Sequence, residues 1–455
     1  MTTTTTATTT TKDKKKSPTK TIKIKAKSTY AALTIGRFMH KTGVKRRVRY
    51  LNKICSDAGE CIAFGTAIGT MKKLFESFHL KYAVTKQMKK IGAESANGSV
   101  VEVPFHRKGY TMYAVLKSSL SYDADSLFYE AFVGTFINKW SPKYPCFVET
   151  YASLTYTVDE DVDVLDLERL EDGLTQHKVV YSTFLNDDSL LRKSCRESQN
   201  FAVLTQHVKQ AKTLFDVIRE KINYFDLVNY LYQVYCPLSA LANRFTHYDL
   251  HVENVLIYQP KNYITMTYTY PDGSVVWFHT SGIAKIIDYG RSFFDDDRVS
   301  TKLFDEKLRQ ECKEDDIEDS YKNLKDIRWA AGLTYSPQAR WGKSILRNKS
   351  HDLRLLRDFK DAHVHHKIPM LAILKHLCDT VKYYGSYGTG EVEKTTFTTL
   401  GDPIRNVEDA HLALKQIMQT PAFLNKNAAA FTGEKRLGEM RVWVDGSRPV
   451  EFEYD

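Results

Sequence analysis

Two carboxylates and one amide mark the chemistry open to this chain. Asp249 and Asn254 stand five residues apart in T246-H-Y-D-L-H-V-E-N-V-L-I-Y258, between an apolar helical run and the apolar strand V255-L-I-Y258. A second apolar strand, I283-A-K-I-I287, ends on Asp288. Groups carried at the hydrogen-bonded ends of two neighbouring strands are held more firmly than groups on a free loop. Such a set suits phosphoryl transfer from a nucleotide. One carboxylate accepts or steers the proton of an attacking hydroxyl, while an amide oxygen and a second carboxylate converge on the metal that bridges the phosphates. Taken singly, Asp249 and Asp288 also fit ordinary turn aspartates at strand ends. The parts that surround them separate the two readings.

H247-Y-D-L-H-V-E-N254 resembles the catalytic loop of the protein-kinase superfamily, and D288-Y-G290 resembles its metal-binding tripeptide. The resemblance implies an α+β, bilobal protein-kinase-like fold, with a small β-rich N-lobe and a larger, mostly helical C-lobe. It implies that Asp249 orients the acceptor hydroxyl, that Asn254 and Asp288 hold Mg²⁺ (or Mn²⁺), and that His247 braces the loop through a hydrogen bond. His251 departs from the pattern. Serine/threonine protein kinases place a lysine two residues after the aspartate, whereas D249-L-H251 is similar to the aminoglycoside and choline phosphotransferase branches. A neutral imidazole there supplies a hydrogen bond instead of a full charge. No A-P-E tripeptide follows Asp288.

The elements that must position these groups appear in family order. Y113-A-V-L-K117 resembles the strand whose lysine grips the α/β-phosphates of ATP. D125-S-L-F-Y-E-A-F-V-G-T-F-I137 reads as an amphipathic helix, and its Glu130 takes the place of the glutamate that ion-pairs with that lysine. Lysines at strand ends are more often simply solvated. I91-G-A-E-S-A-N-G-S-V-V101 is similar to the glycine-rich phosphate loop, with Gly92, Gly98 and Val100 in place. It has one extra residue and lacks the middle glycine, although Ser95 offers a hydroxyl donor; hairpin glycines account for the same pattern without a phosphate. F201-A-V-L-T-Q-H-V208 resembles the hinge strand, with the backbone of Gln206 to Val208 meeting the adenine edge. N348-K-S-H-D-L-R-L-L356 resembles the helix whose aspartate, here Asp352, supports the catalytic loop.

The resulting organisation is a Thr/Lys-rich tail at 1–28, an extension at 29–84, an N-lobe at 85–209 with an insertion at about 157–200, and a C-lobe at 210–455. A hairpin insertion at about 260–281, turning on Pro271, Asp272 and Gly273, should project from the C-lobe with the two site strands at its base. The glycines of C61-I-A-F-G-T-A-I-G-T70 do not make a Walker loop and read as close packing or a turn. K382-Y-Y-G-S-Y-G-T-G390 follows a helix and reads as a loop, and Met440 to Tyr454 reads as a closing hairpin.

Of the 455 residues, 42% are hydrophobic and 26% charged, enough for a sizeable core, and no apolar run reaches membrane-spanning length. The formal charge of +10 is uneven: residues 1–27 hold +7 of it and the rest only +3. The folded body is therefore not a strongly basic nucleic-acid binder, and any polyanion contact or nuclear address belongs to the tail, which composition marks as disordered. Val158 to Asp172 carries eight acids against one arginine and reads as a solvated decoration or a partner surface. Seven cysteines, an odd number with no CxxC pair, suggest reduced thiols in an intracellular setting. The layout from about Lys53 resembles the serine/threonine kinase-like proteins of large DNA viruses of the iridovirus and giant-virus types, which implies a protein substrate and a place in host cytoplasm or virion. A small-molecule phosphotransferase and a catalytically inactive pseudokinase scaffold in the virion are the alternatives.

Overall fold

A period of two runs through residues 98–119 and sorts their side chains onto two faces of a sheet. The protein is described by a computed structural model over residues 41–55, 58–91, 98–119, 127–156, 175–187, 201–220, 224–311, 347–359, 372–381 and 394–455. The basic tail, the acidic run at 158–172 and residues 382–393 lie outside the described residues. The described chain is a mixed α+β structure with a β-rich part followed by a part in which helices and small sheets mix.

Six antiparallel strands form the first sheet in the order Lys89–Lys90, Gly98–Arg107, Tyr110–Ser119, Phe201–Gln206, Thr150–Thr155, Thr175–Lys178. Val103, Phe105, Met112, Ala114 and Leu116 face an apolar cluster contributed by Val44, Leu51, Ile62, Met71, Phe75 and Phe78. Those partners come from helical residues 41–54, from the helices Ala58–Ala63 and Ile68–Leu74, and, for Phe75 and Phe78, from the turn after Leu74. The amino-terminal extension is thus a cap on one face of the sheet. Phe78 lies against Tyr151 with ring centroids 3.9 Å apart, and Phe64 stacks on Phe452 at 4.3 Å, tying the cap to the end of the chain. Gly65, the turn residue beside them, has φ +70, a conformation that glycine adopts without a Cβ penalty. Reduced thiols throughout do not describe this cap: Cys55 and Cys61 form a disulfide, their Cα atoms 5.6 Å apart, while Cys146, Cys236 and Cys378 are buried free thiols. A count of cysteines carries no distance, and the fold sets these two, six residues apart, within bonding reach.

The helix Leu127–Trp140 lies across the strands Phe201–Gln206 and Thr150–Thr155. It is buried on nearly every side, from Leu127 to Ile137, because its outward face meets Phe294 and Phe304 of the later chain. Asn138 clamps it to the sheet, donating to Thr150 O at 2.6 Å and accepting from Thr150 N at 2.9 Å. Gly134 permits that approach, since a Cβ there would stand 2.6 Å from Thr150 Cβ.

In the second part, the helix Tyr224–Ala240 runs through Pro237 and packs on Val407–Met418. The strands Val255–Tyr258 and Ile283–Ile286 pair antiparallel, and Lys212–Thr213 adds to Val255–Tyr258. The hairpin of Tyr263–Thr269 and Val275–Thr280 turns at Gly273, where φ is +80. It does not project alone. Tyr263–Thr269 pairs in parallel with Arg436–Trp443, which pairs with Glu451–Tyr454, so hairpin and chain end share a four-stranded sheet. An isolated two-stranded hairpin is marginal in water, and these partners supply what it lacks. Among the described residues no helix is long and apolar enough to cross a membrane.

Gly134→Ala, although it favours helix locally, should cost about 1–3 kcal/mol by overpacking against Thr150. A denaturant midpoint at or above wild type would show that the helix does not sit where described.

Candidate active site

Lys117 leaves the strand Tyr110–Ser119 on the face opposite the cap, and its Nζ donates to Glu130 Oε1 at 2.8 Å. The same Nζ lies 3.4 Å from Asp288 Oδ1, across 171 residues of sequence. Burial works against the ammonium, but the charges of Asp288 and Glu130 outweigh it and hold the lysine above its usual range. Asp288 responds in kind: Lys117 lowers its carboxyl, against burial, with His247 and Arg291 adding to the effect. Side-chain exposure is 4% at Glu130, 19% at Lys117 and 35% at Asp288, so this is a half-buried cation held between two carboxylates and open on the Asp288 side.

Asp288 reaches that position through strain. Its φ is +70, and Tyr248 of the loop has φ +65; each costs on the order of 1–3 kcal/mol for a residue with a side chain. Hydrogen bonds over-determine both. Asp352, buried in a helical turn, accepts from His247 N at 2.7 Å and from Tyr248 N at 3.0 Å. Tyr289, also buried, donates its hydroxyl to Ile286 O at 2.8 Å and accepts from Val148 N at 2.9 Å. Ile286 N donates to Cys146 O at 2.6 Å, so residues 146–148 grip the segment that ends on Asp288.

His247 joins the two site strands. Asp249 N–H donates to its Nδ1 at 3.3 Å, which leaves the proton on Nε2 to donate to Ile287 O at 3.0 Å. Burial pushes this imidazole down to about 4, against the pull of Asp249 and Asp288, so it is a neutral brace at physiological pH. Asn254 donates through Nδ2 to Asp249 O at 2.9 Å, which frees its Oδ1 for a cation, and Ile287 N donates to Asn254 O at 3.1 Å. His251 accepts from Glu253 N at Nδ1, 3.3 Å away, and presents Nε2 to Asp249 Oδ1 at 3.9 Å. Burial lowers its pKa as well.

The remaining expected residues fall into two groups. Gly92 and Ser95 lie outside the described residues. Gly98 opens the strand Gly98–Arg107 opposite Ser119, and Val100 is the register partner of Lys117, so the valine and the lysine share one face. Gln206 is largely committed to structure: its side chain bonds Ile62 O and Glu149 N, and its own N–H donates to Glu149 O. Val208 N–H, by contrast, has no hydrogen-bond partner among the described residues, although Val208 is buried.

Two residues at the site escaped the sequence reading. Arg354 Nη1 donates to Asp249 Oδ1 at 2.9 Å, and Arg291 Nη1 stands 3.8 Å from Asp249 Oδ2. The available signals were slight: Arg291 directly follows D-Y-G, and Arg354 follows Asp352 by two on the segment that supports the loop.

No family model matches the chain, and no curated protein matches it. Among solved structures it is similar to one described as a kinase domain, with 16% identity and a TM-score of 0.26 over 47% of this chain. The match takes in 52% of that structure, so the chain spans about half its length. At that TM-score the likeness decides nothing about function, and the site has to be read from its own geometry.

Asp352→Asn retains shape but loses one carboxylate acceptor for two buried N–H groups, a cost of about 1–3 kcal/mol. Burial raises the Asp352 carboxyl from 3.8 to about 7, against the two backbone hydrogen bonds. The native state therefore keeps a proton that the unfolded chain sheds. The contribution of Asp352 is full below the unfolded value and is lost as pH rises through the folded one. Chemical denaturation across that window should show the advantage of wild type over Asp352→Asn shrinking as pH rises; an advantage that grows towards neutrality contradicts this.

Proposed function

We propose that the chain is an ATP-dependent phosphotransferase with a bilobal kinase-like architecture, N-lobe at 85–209 and C-lobe at 210–455. It moves the γ-phosphate to a hydroxyl, with a serine or threonine of a protein as the acceptor. The observation that carries the reading is the single ammonium of Lys117 set between Glu130 and Asp288. A lysine half-buried between two acids adds little net stability, because desolvation consumes much of the attraction. The arrangement makes sense for a ligand that brings its own negative charge to one side of the lysine and a metal to Asp288.

The donor set fits magnesium. Among the described residues no three His, Cys, Asp or Glu side chains cluster to hold a metal unaided. Mg²⁺ is commonly bound by one or two protein oxygens together with phosphates and waters, which is what Asp288 and the free Oδ1 of Asn254 would provide. The ion, when bound, would neutralise charge on the phosphate oxygens. The chain's own part is positioning. Lys117, fixed by Glu130, would hold the α/β-phosphates, and Val100 beside it would cover the base together with the Val208 N–H. His247 keeps the catalytic loop and the Asp288 segment in register. Asp249 would orient the acceptor hydroxyl and take its proton, and most of the rate gain would come from this preorganisation.

His251 favours a second reading, a small-molecule acceptor, because an imidazole whose Nδ1 accepts from Glu253 N stands where protein kinases carry lysine. Transfer of labelled γ-phosphate to a protein mixture and to a panel of aminoglycosides, choline and sugars separates the two. Protein labelling supports the first, and labelling confined to the panel supports the second. In either case Asp288→Ala should abolish turnover. Transfer by Asp288→Ala at the wild-type rate would overturn the site, and labelling of neither class by wild type would leave a nucleotide-binding scaffold in place of an enzyme.

A further inference from the structure

The way Asp249 is held points to a role for two residues outside the kinase pattern, and it rests on the phosphotransferase reading above. A transferring phosphoryl group needs fixed positive charge beside it, not only on the metal side. His251 does not provide it: its Nδ1 accepts from Glu253 N, which leaves the ring only Nε2 as a donor. Two guanidinium groups, charged at any working pH, converge on the same carboxylate instead.

Their distances assign them different tasks. Arg354 is hydrogen-bonded to Oδ1 at 2.9 Å, which fixes the carboxylate plane and leaves Oδ2 open to an acceptor. Arg291 stands 3.8 Å from Oδ2, beyond hydrogen-bond reach, and follows Asp288 by three residues in the chain. Arg291 therefore lies near both the acceptor side and the metal side of the site. Both arginines are partly open, at 22% and 20% exposure, so a substrate can reach them.

We propose that Arg291 contacts the transferring phosphoryl group, supplying the charge that the lysine gives in serine/threonine kinases, and that Arg354 is a positioning residue for Asp249. In that step the acceptor oxygen bonds to the γ-phosphorus of the nucleoside triphosphate as the bond to the β,γ-bridging oxygen breaks. The acceptor proton passes to Asp249, and the electron pair of the broken bond leaves on the nucleoside diphosphate.

Steady-state transfer from Mg·ATP tests this with Arg291→Gln, Arg291→Lys, Arg354→Gln and the double variants Arg291→Gln/His251→Lys and Arg354→Gln/His251→Lys. Arg291→Gln should lose roughly 10²–10³-fold in kcat, the scale for removing one donor to developing charge, with little change in KM for nucleotide. Arg291→Lys should recover part of the loss. Adding His251→Lys should rescue Arg291→Gln by restoring a cation near the same carboxylate, and should not rescue Arg354→Gln. Wild-type kcat in Arg291→Gln, a loss confined to nucleotide KM, or no rescue by His251→Lys would overturn the assignment of Arg291. Should Arg291→Gln not fold, Arg291→Lys decides, with wild-type kcat and wild-type KM both counting against the proposal. Transfer that survives in wild type and dies in Asp288→Ala keeps the parent reading intact under any of those results; wild type with neither transfer nor Mg²⁺-dependent nucleotide binding sinks both.

Discussion

One half-buried ammonium organises this molecule. Lys117 brings a positive charge to the inner face of the six-stranded sheet, and two acids from distant points in the chain meet it. Such a group is costly to bury alone and tolerable only when its neighbours are fixed. The helix Leu127–Trp140 must therefore be held against the sheet, which Asn138 and Gly134 accomplish at Thr150. The segment carrying Asp288 must be held as well, and Tyr289, Cys146 and Val148 do that through buried hydrogen bonds.

The other half of the site is kept in an unfavourable backbone shape. Tyr248 and Asp288 both have positive φ, and the cost is met by contacts that release neither easily. Asp352 accepts two loop N–H groups, while His247 carries the tie across to Ile287. Asp249 is thereby fixed at its backbone by the loop and at its side chain by Arg354. A site built this way is rigid before any ligand arrives, which is what electrostatic preorganisation requires.

Much of this arrangement could be read from the sequence because it is written in short steps. Asp249 and Asn254 are five apart, Lys117 and Glu130 thirteen, and the apolar strands around them announce their own periodicity. Asp352 was legible only by resemblance, in the stretch N348-K-S-H-D-L-R-L-L356. What escaped was non-local. Nothing in the alternation of Tyr263–Thr269 names Arg436–Trp443 as its parallel neighbour, so the hairpin read as free-standing. The packing of the cap on Phe105 and Leu116 was equally unreadable, since an amphipathic helix states that it has a partner face but not which face. The Cys55–Cys61 bond followed from that same unseen packing. Arg291 and Arg354 carry no periodic signal at all; only the fold brings them to Asp249.

The central claim is that Lys117, Asn254 and Asp288 together form the seat of a metal-bound nucleotide. Calorimetric titration of ATP into the whole chain, first with saturating Mg²⁺ and then in EDTA, tests it most directly. The account predicts binding that weakens by roughly tenfold or more when the metal is removed, about 1.4 kcal/mol or greater. Equal affinity in both buffers, or no binding in either, would contradict it.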